Sequence, residues 1–285
     1  MNKKKLSIAI PASVVSDIPH LREKTSKIGL IGRTAAIFRA DEIIIYMDNA
    51  KIDQTIDANL IATLLEYMET PQYLRKRLFK IKPELQYAGI LPPLRTPHHP
   101  LNRRLKDLKI DECREGVTVS KTKEGTLIDI GVEQLALISN KQLSIGKRIT
   151  VKIRMVGKQV EVEIVNRNEI PVYWGYRVAV EKSFMTKIEK RNFDLTIATS
   201  KYGAPFEKVK EKIADRWKRA NTLLVMFGAP TCGLYEIFKN QGFNLDDAMD
   251  FVINTIPRQG TETLRTEEAL IATLAILNAN CRWEP

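Results

Sequence analysis

The sequence has 285 residues, of which 44% are hydrophobic and 28% charged, as in a soluble globular protein with one large domain or two ordinary ones. Its formal net charge of +11 indicates a polyanionic partner, although an acidic membrane surface or general solubility would also account for it. No stretch of about 18 consecutive apolar residues is present, which excludes a membrane-spanning helix, and three widely spaced cysteines exclude a disulfide framework and fit a reducing cytoplasm.

The first part of the chain alternates predicted strands and helices. Residues 6–10 form an apolar run that Pro11 ends, so we expect a buried strand there rather than a signal peptide. Helical spacing predicts a helix over residues 21–40. Its apolar side is expected to carry Leu30, Ile31, Ala35 and Phe38. Residues 42–47 are rich in β-branched residues and predict a second strand, and residues 57–68 predict a second helix. This alternation predicts a parallel sheet.

The next segment is basic and rich in proline. Residues 71–109 contain ten Lys/Arg against two acidic residues, whereas residues 244–285 contain three Arg against seven acidic residues. Residues 72–81 have an amphipathic pattern with Leu74, Leu78 and Ile81 on the apolar face. Four prolines within residues 91–101 exclude a regular helix or a central strand and indicate a domain boundary.

Residues 116–165 have a different pattern, with about five short β-type runs separated by glycines. Such a series predicts a small β-barrel, and an OB-like barrel is a common choice for binding nucleic acid. We expect residues 173–180 to close the barrel. The aromatic residues Tyr173, Trp174 and Tyr176 in this stretch either stack on bases or, as is more common, fill the barrel core.

Strands and helices alternate again after the barrel. The expected elements are a strand over residues 194–198, a helix over 206–219, a strand over 223–227, a helical turn over 234–239 and a strand over 251–256. Thr266 is expected to cap a last helix. Leu270, Leu274 and Leu277, with Ile271 and Ala275 beside them, predict that this helix is well buried. One α/β domain is therefore predicted to be split around an inserted β domain.

The loop between the last strand and the last helix is a candidate ligand site, because α/β proteins bind ligands at the carboxyl ends of parallel strands. The loop has neither of the glycine-rich motifs that bind phosphates. Its backbone amides, threonine hydroxyls and apolar walls suit a neutral or cationic ligand with an adenine-like ring. From these residues alone, a plain strand-to-helix connection is the alternative.

The stretch IPRQGTETLRTEEALIATLAILN, residues 256–278, resembles the C-terminal motif of the SPOUT RNA methyltransferases. The similarity is to the archaeal and eukaryotic branch that carries an OB-like barrel inserted in the catalytic domain. The segments RTAAIFRADEIIIY, TPQYLRKRLF, TPHHPLN, YWGYRV, DLTIATSKYG and LLVMFG extend the resemblance over nearly the whole chain.

The resemblance implies an α/β fold in which a SPOUT-like parallel-sheet domain with a C-terminal trefoil knot is interrupted by an inserted OB-like β-barrel. Residues 1–92 are then the first part of the catalytic domain and residues 93–185 the barrel, for which RNA binding is expected. Residues 186–285 are the second part, with the knot and the cofactor loops.

The resemblance also implies an S-adenosylmethionine-dependent RNA methyltransferase that acts in the cytoplasm as a homodimer, without a metal or a membrane. Its expected cofactor-binding residues are Thr199, Ser200, Gly228, Ile256, Pro257, Gln259, Gly260, Thr263 and Leu264. Its expected catalytic residues are Arg33 and Arg265, since a cation stabilises the anion of an imide nitrogen. Its expected RNA contacts are Arg75, Lys76, Arg77, His98, His99, Arg103 and Arg104. The adjacent histidines have no zinc-site spacing, and an ordered hinge is their alternative role.

Two alternatives remain open at this point. The resemblance favours ribosomal RNA as the substrate and a base nitrogen of a uridine-like nucleotide as the methyl acceptor. A ribose 2′-hydroxyl is the second candidate for the acceptor. The alternative function is a non-catalytic RNA-binding protein that retains the SPOUT fold.

Overall fold

The computed structural model of the protein describes residues 4–182, 184, 188 and 193–281. The chain forms two compact units. The first contains the segment up to Glu66, the segment Gln86–Pro92 and the chain from Tyr176 onward, and the second contains Tyr67–Leu85 and Pro93–Gly175. The domain boundary expected between residues 185 and 186 lies outside the described residues.

The described elements are numbered in chain order. The strands are β1 (Lys5–Pro11), β2 (Glu42–Tyr46), β3 (Cys113–Lys121), β4 (Gly125–Asp129), β5 (Ala136–Ser139), β6 (Arg148–Met155), β7 (Val160–Ile164), β8 (Arg177–Glu181), β9 (Leu195–Pro205), β10 (Thr222–Met226) and β11 (Phe251–Asn254). The α-helices are α1 (Leu21–Ile37), α2 (Thr55–Glu69), α3 (Gln72–Leu78), α4 (Phe206–Arg219), α5 (Leu234–Asn240), α6 (Leu245–Ala248) and α7 (Thr266–Asn280).

The first unit is built on a six-stranded sheet with the order β11-β9-β10-β1-β2-β8. Every pairing in it is parallel. The central strand β1 is apolar from Leu6 to Ile10 apart from Ser7, and it is buried along its length. Parallel sheets are covered on both faces, which is why such continuous apolar runs form their central strands. The predicted parallel sheet is confirmed.

The two helices α1 and α7 correct the sequence analysis. On α1, Ile31 and Ala35 are buried as expected, but Leu30 is about half exposed and Ile28 is buried instead. On α7, the leucines at the predicted spacing are buried, but Ile271 is 48% exposed. The prediction that α7 is well buried was therefore wrong on one face, because the leucine repeat alone supplies the buried face of the helix.

The second unit contains a closed five-stranded barrel with the order β3-β4-β5-β7-β6. All five β-type runs of residues 116–165 form these strands. Its pairs are antiparallel except for β5 with β7, which are parallel. Alternate residues of each strand point inward and fill the barrel, among them Ile128, Ile138 and Ile153.

The expectation that residues 173–180 close the barrel was wrong. Strand β8 pairs with β2 in the parallel sheet, with Glu42 opposite Arg177. Tyr176 is buried in the first unit, where its hydroxyl donates to the backbone oxygen of Leu65 over 3.1 Å. Trp174 is buried in the second unit, and its indole N–H donates to a carboxylate oxygen of Glu115 over 2.6 Å. Neither ring has an open face for base stacking.

Helix α3 is shorter than predicted. It ends at Leu78, and Phe79 has extended backbone angles. Ile81 therefore lies beyond the helix and is fully exposed, so the predicted apolar face keeps only Leu74 as a buried residue. No described helix is long and apolar enough to cross a membrane.

A buried carboxylate organises the polar interior of the second unit. Glu69, the last residue of α2, accepts from Arg148 over 2.6 Å and from Arg167 over 2.7 Å. Its side chain also lies 3.2 Å from Nε2 of His98. Burial alone would raise the pKa of Glu69, but hydrogen bonding from His98 and the two arginine charges lower it to about 2. The carboxylate is thus fixed in its charged form.

Candidate active site

A cavity of about 350 Å³ lies in the first unit where β9, β10 and β11 end. Three chain segments line it, residues 199–202, 228–236 and 253–264, and α7 adds Ala269 and Thr273. The carboxyl ends of parallel strands are where open α/β sheets bind ligands, and a volume of this order is usual for such a site.

The first segment is a bulge in β9 rather than the loop that the sequence predicts. Ala198 pairs with Val252 of β11, but the next β11 residue, Ile253, pairs with Ala204. Residues 199–203 are therefore extra on β9 and project from the paired strands. The prediction ended this strand at residue 198, because nothing local indicates that pairing resumes.

Hydrogen bonds from side chains and backbone hold the bulge in place. Thr199 Oγ1 donates to the backbone oxygen of Met226 over 3.1 Å. The Asn254 side-chain amide donates to the backbone oxygen of Lys201 over 2.9 Å, and the Tyr202 backbone N–H donates to Ser200 Oγ over 3.2 Å. The bonds with Met226 and Asn254 join the bulge to the ends of the two neighbouring strands, β10 and β11, and the bond between Tyr202 and Ser200 lies within the bulge.

The second segment follows β10 and turns tightly into α5. The buried hydroxyl of Tyr46 donates to the backbone oxygen of Phe227 over 2.6 Å, which fixes the strand end. A Cβ at Gly228 would lie 3.2 Å from the backbone nitrogen of Leu234, so glycine allows this close approach. Burial, together with Glu236, raises the pKa of Cys232 to about 11, so this thiol stays neutral near pH 7.

The third segment, residues 253–264, includes the loop before α7, and its own side chains stabilise it. The Ile256 backbone N–H donates to Asn254 Oδ1 over 2.9 Å. The Gln259 side-chain amide donates to the backbone oxygens of Thr261 and Glu262, over 2.9 and 3.1 Å. Gln259 therefore holds the loop in shape from within.

The start of α7 connects the third segment to the second. Thr266 is the first residue of the helix, and its hydroxyl donates to the backbone oxygen of Gly228 over 3.0 Å. The helix N-cap is Arg265, whose backbone N–H donates to Glu268 Oε2 over 2.9 Å. Thr266 does not cap the helix as predicted, because its hydroxyl is used in this bond between segments.

The chemistry of the cavity combines apolar walls with a few polar groups. Leu234, Ile253, Ile256 and Leu264 supply apolar surface. Hydroxyl groups come from threonine and serine residues, and the two charged residues in the described lining are Lys201 and Glu236. This arrangement suits a nucleoside that carries groups of both charges, whereas a polyphosphate needs more basic residues than the one lysine of the described lining.

Most of the expected cofactor-binding residues line this cavity. They are Thr199, Ser200, Gly228, Ile256, Gln259, Thr263 and Leu264. Pro257 and Gly260 are not part of the described lining, and a Cβ at Gly260 would meet no atom within 4 Å. The sequence analysis missed Lys201, Tyr202 and Glu236. Lys201 and Tyr202 could have been identified from the sequence, because a charged and an aromatic residue stand together just after the predicted end of a strand.

Neither expected catalytic arginine lines the cavity of its own chain. Arg33 lies on α1 and is partly exposed, and Arg265 is exposed at the start of α7. Arg265 follows Leu264, which does line the cavity. Arg265 is thus adjacent in sequence to a residue of the cavity lining, whereas Arg33 lies on α1, which contributes no residue to the described lining.

The expected RNA contacts in the second unit differ in how accessible they are. Lys76, Arg103 and Arg104 are exposed. Arg77 is exposed but pairs with Asp129 over 2.6 Å. Arg75 donates to the backbone oxygen of Thr70 over 3.0 Å and lies 4.5 Å from the ring of Tyr67, so its guanidinium group stabilises the fold locally.

The two histidines are buried parts of the second unit. His98 is 0% exposed, and the Nε2 atoms of His98 and His99 lie 2.9 and 2.8 Å from the backbone oxygen of Glu69. Burial, together with its neighbour His98, lowers the pKa of His99 to about 4. This geometry supports the hinge interpretation and leaves His98 no surface for RNA. The described residues contain no group of His, Cys, Asp and Glu placed to bind a metal.

Comparisons with known proteins complete this description. The model of a family described as "putative RNA methyltransferase" matches residues 5–277. The chain is 32% identical to a 28S rRNA (uridine-N(3))-methyltransferase of Drosophila melanogaster over 97% of its own length, and it spans 62% of that relative. A human protein of the same name is 31% identical over 95% of the chain and 77% of the relative. An uncharacterized protein of Haloarcula marismortui is 29% identical over 95% of the chain and 98% of the relative.

Proposed function

The chain belongs to the RNA methyltransferase family whose model spans residues 5–277, and on this premise we propose that it transfers a methyl group from S-adenosylmethionine to N3 of a uridine in large-subunit ribosomal RNA. The observation that carries the proposal is the alignment of relatives named for this activity over 95–97% of the chain. The alignment includes both the sheet that forms the cavity and the barrel.

The cavity supports S-adenosylmethionine as the methyl donor. Its apolar walls suit an adenine ring, and its hydroxyl and backbone groups suit a ribose. Lys201 and Glu236 carry opposite charges, as do the carboxylate and the ammonium and sulfonium groups of this cofactor. Thr199, Ser200, Gly228, Ile256, Gln259, Thr263 and Leu264 are the residues that we propose for its binding.

We assign the first unit to the SPOUT class with a trefoil knot at its C terminus. Strand β11 lies at one edge of the sheet, and β9 separates it from β10. Thr266 comes soon after β11 in sequence, yet its hydroxyl bonds to Gly228, which follows the end of β10. The chain therefore returns across β9 after leaving the edge, which is the crossing that such a knot needs. A crystal structure with a continuous trace through residues 193–281 tests this proposal.

We propose that an OB-like barrel is inserted in the catalytic domain. The expected end of the insertion at residue 185 moves to Gly175 in this proposal, because β8 pairs with β2 in the parallel sheet of the first unit. The strand order β3-β4-β5-β7-β6, with a parallel β5–β7 pair, supports the OB-like assignment. Cys113, Cys232 and Cys281 are free, which supports the proposed cytoplasmic location.

Arg33 and Arg265 are the proposed catalytic residues. Bound S-adenosylmethionine supplies an electrophilic methyl group. N3 of uracil would release its proton to solvent and take the methyl group, with S-adenosylhomocysteine as the leaving group. A guanidinium group that stabilises the N3 anion would accelerate this transfer. Because Arg33 does not line the cavity of its own chain, we propose that it serves the cavity of a partner chain in a homodimer.

Exposed apolar residues on α1 and α7 support the homodimer. Leu30, Ile37 and Ile271 are each about half exposed. A second copy of the chain would cover such surface. Ile271→Glu should therefore convert the dimer to a monomer in analytical ultracentrifugation, whereas Ile56→Glu, at an exposed position of α2, should not.

RNA binding is proposed for Lys76, Arg77, Arg103 and Arg104 in the second unit. Arg104 lies with Lys106 and Gly157 in a shallow depression of this unit. Basic side chains of this kind bind phosphates and position the RNA without reading its sequence. Replacing one of them by alanine should lower the slope of log affinity against log salt by roughly 0.7–0.9, the amount expected for one neutralised phosphate.

The experiment that tests the proposed function is transfer of a labelled methyl group to transcribed large-subunit ribosomal RNA, followed by digestion to nucleosides. We expect 3-methyluridine, and a 2′-O-methylated nucleoside would instead identify the ribose as the acceptor. Arg33→Ala and Arg265→Ala should abolish transfer while the fold remains intact, and Arg22→Ala on α1 is the matched control. Absence of S-adenosylhomocysteine binding in calorimetry would favour the alternative, an RNA-binding protein without catalysis.

A further inference from the structure

An exposed aromatic side chain lies at the rim of the cavity. Tyr202 lines it together with Lys201, yet 74% of its surface is exposed. Among the residues that the structure describes, it is the only exposed phenylalanine, tyrosine or tryptophan. Aromatic rings displayed beside a cavity are typical of binding surfaces, because a buried ring gains more free energy than an exposed one.

The backbone that carries this ring is held rigidly. The Tyr202 backbone N–H donates to Ser200 Oγ over 3.2 Å, and the carbonyl of the preceding residue accepts from Asn254 over 2.9 Å. On the other side, Gly203 packs so closely on β11 that a Cβ would lie 2.7 Å from the backbone of Ile253. A ligand that binds the ring therefore loses little free energy in ordering this segment.

The charge beside the ring indicates the kind of ligand. Lys201 Nζ lies 5.2 Å from the centre of the Tyr202 ring, in cation–π geometry. The ammonium group lies over the ring, yet the tyrosine as a whole remains 74% exposed. An aromatic face next to a cation matches a nucleotide, whose base stacks on the ring while its phosphate pairs with the ammonium group.

We infer that Tyr202 is a stacking platform for the target base of the RNA, held next to the methyl donor. This inference rests on the proposed function. An enzyme cannot reach a ring nitrogen such as N3 of uracil while the base is paired and stacked, so the base must leave its helix. Stacking on Tyr202 replaces part of the stacking that the base loses. Tyr202 is thus a substrate-positioning residue rather than a group that takes part in the chemical step.

The cofactor's adenine is the competing ligand for the ring. The four apolar residues of the cavity wall already offer apolar surface for an adenine ring. Tyr202, in contrast, lies at the exposed rim. The inference therefore requires that S-adenosylhomocysteine binds equally well with and without the tyrosine ring.

The direct test of stacking uses fluorescence and does not depend on catalysis. In Tyr202→Trp, with S-adenosylhomocysteine present, a short oligouridylate should quench the introduced indole in a saturable manner. An oligomer of the same length without bases should not. Tyr202→Phe, which has the same native tryptophans, provides the background to subtract. Equal quenching by both oligomers, or none by either, would overturn the inference.

The functional test compares side chains of similar size. Stacking of a base on an aromatic residue corresponds to roughly a 5- to 150-fold change in binding. We expect Tyr202→Leu and Tyr202→Ala to lower kcat/KM on large-subunit ribosomal RNA by this factor, and Tyr202→Phe to remain near the unmodified protein. Equal rates for the Leu and Phe variants would refute the role. A tenfold loss of S-adenosylhomocysteine affinity in Tyr202→Leu would assign the ring to the cofactor instead.

The two tests separate this inference from the proposed function. If the unmodified protein transfers no methyl group to ribosomal RNA, the proposed substrate is wrong. The fluorescence comparison still decides whether the ring stacks on bases.

Discussion

Gly203 is the point at which the β9 bulge lies closest to β11, and Gly203→Ala tests how the cavity is built. The added Cβ would lie 2.7 Å from the backbone carbon of Ile253 and 2.8 Å from that of Val252. Carbon atoms in contact prefer separations of about 3.5–4.0 Å. Because both neighbours are backbone atoms of a paired strand, no side-chain rotation relieves the clash, and the bulge or β11 must move.

Overpacking of this kind costs about 1–3 kcal/mol. We therefore expect Gly203→Ala to lower the free energy of unfolding by about that amount in urea denaturation. The displaced bulge carries Thr199 and Ser200, which line the cavity and are proposed to bind the cofactor. Calorimetric titration with S-adenosylhomocysteine should then show weaker binding, by as much as about 100-fold if the whole distortion falls on the residues that touch the ligand.

Gly260→Ala is the matched control, because it makes the same change in the third segment. Its Cβ would meet no atom within 4 Å. Alanine also restricts the unfolded chain, so this variant should be as stable as the unmodified protein or more stable by up to about 1 kcal/mol. If the two variants had the same stability and the same ligand affinity, the description of the bulge as a tightly packed wall would be wrong.

Three further predictions concern other parts of the molecule. Glu69→Ala should lower stability by about 3–5 kcal/mol in urea denaturation followed by tryptophan fluorescence, because Arg148 and Arg167, both partly buried, lose the buried carboxylate with which they pair. Arg77→Ala, which breaks an exposed pair, should change stability by less than about 1 kcal/mol. The pKa of His99 falls from 6.5 to about 4 on folding. Its contribution to stability is therefore complete above pH 6.5 and is lost as pH falls towards 4, by up to about 3 kcal/mol, and His99→Gln should remove this part of the pH dependence. Thr266→Val removes the bond to the Gly228 carbonyl, and it should weaken S-adenosylhomocysteine binding several-fold, in line with the roughly 1 kcal/mol of one hydrogen bond.

The central strands were predictable from the sequence because burial on both faces leaves a local pattern. Strand β1 and strand β2 are short apolar runs bounded by a proline or by charged residues, and no other element gives that pattern at that length. The five barrel strands were predictable for a similar reason, since their apolar residues alternate with a period of two.

Strand β8 was assigned to the wrong unit because a strand's partner is not a local property. Its residues follow the barrel in sequence, and an apolar run of this length fits either structure. What decides its place is pairing with β2 over a separation of more than a hundred residues, from Glu42 to Arg177. Propensity and periodicity contain no information about such a pairing.

The same reasoning explains why the candidate site was predicted only in part. The loops after β10 and β11 follow strand ends that the sequence locates, and several residues expected there, such as Gly228 and Ile256, line the cavity. Tyr202 was missed because its position depends on the register of β9 against β11. Between the Ala198–Val252 pair and the Ala204–Ile253 pair, β11 advances by one residue and β9 by six. Five consecutive residues are then left without partners on that strand, and hydrogen bonds to neighbouring strands hold them beside the cavity. This bulge lies next to the cavity and ends at Gly203, which has no room for a Cβ. It therefore holds the exposed ring of Tyr202 at a fixed place. The irregular pairing is thus the feature that makes Tyr202 available to a ligand, and it can be recognised only when both strands are known.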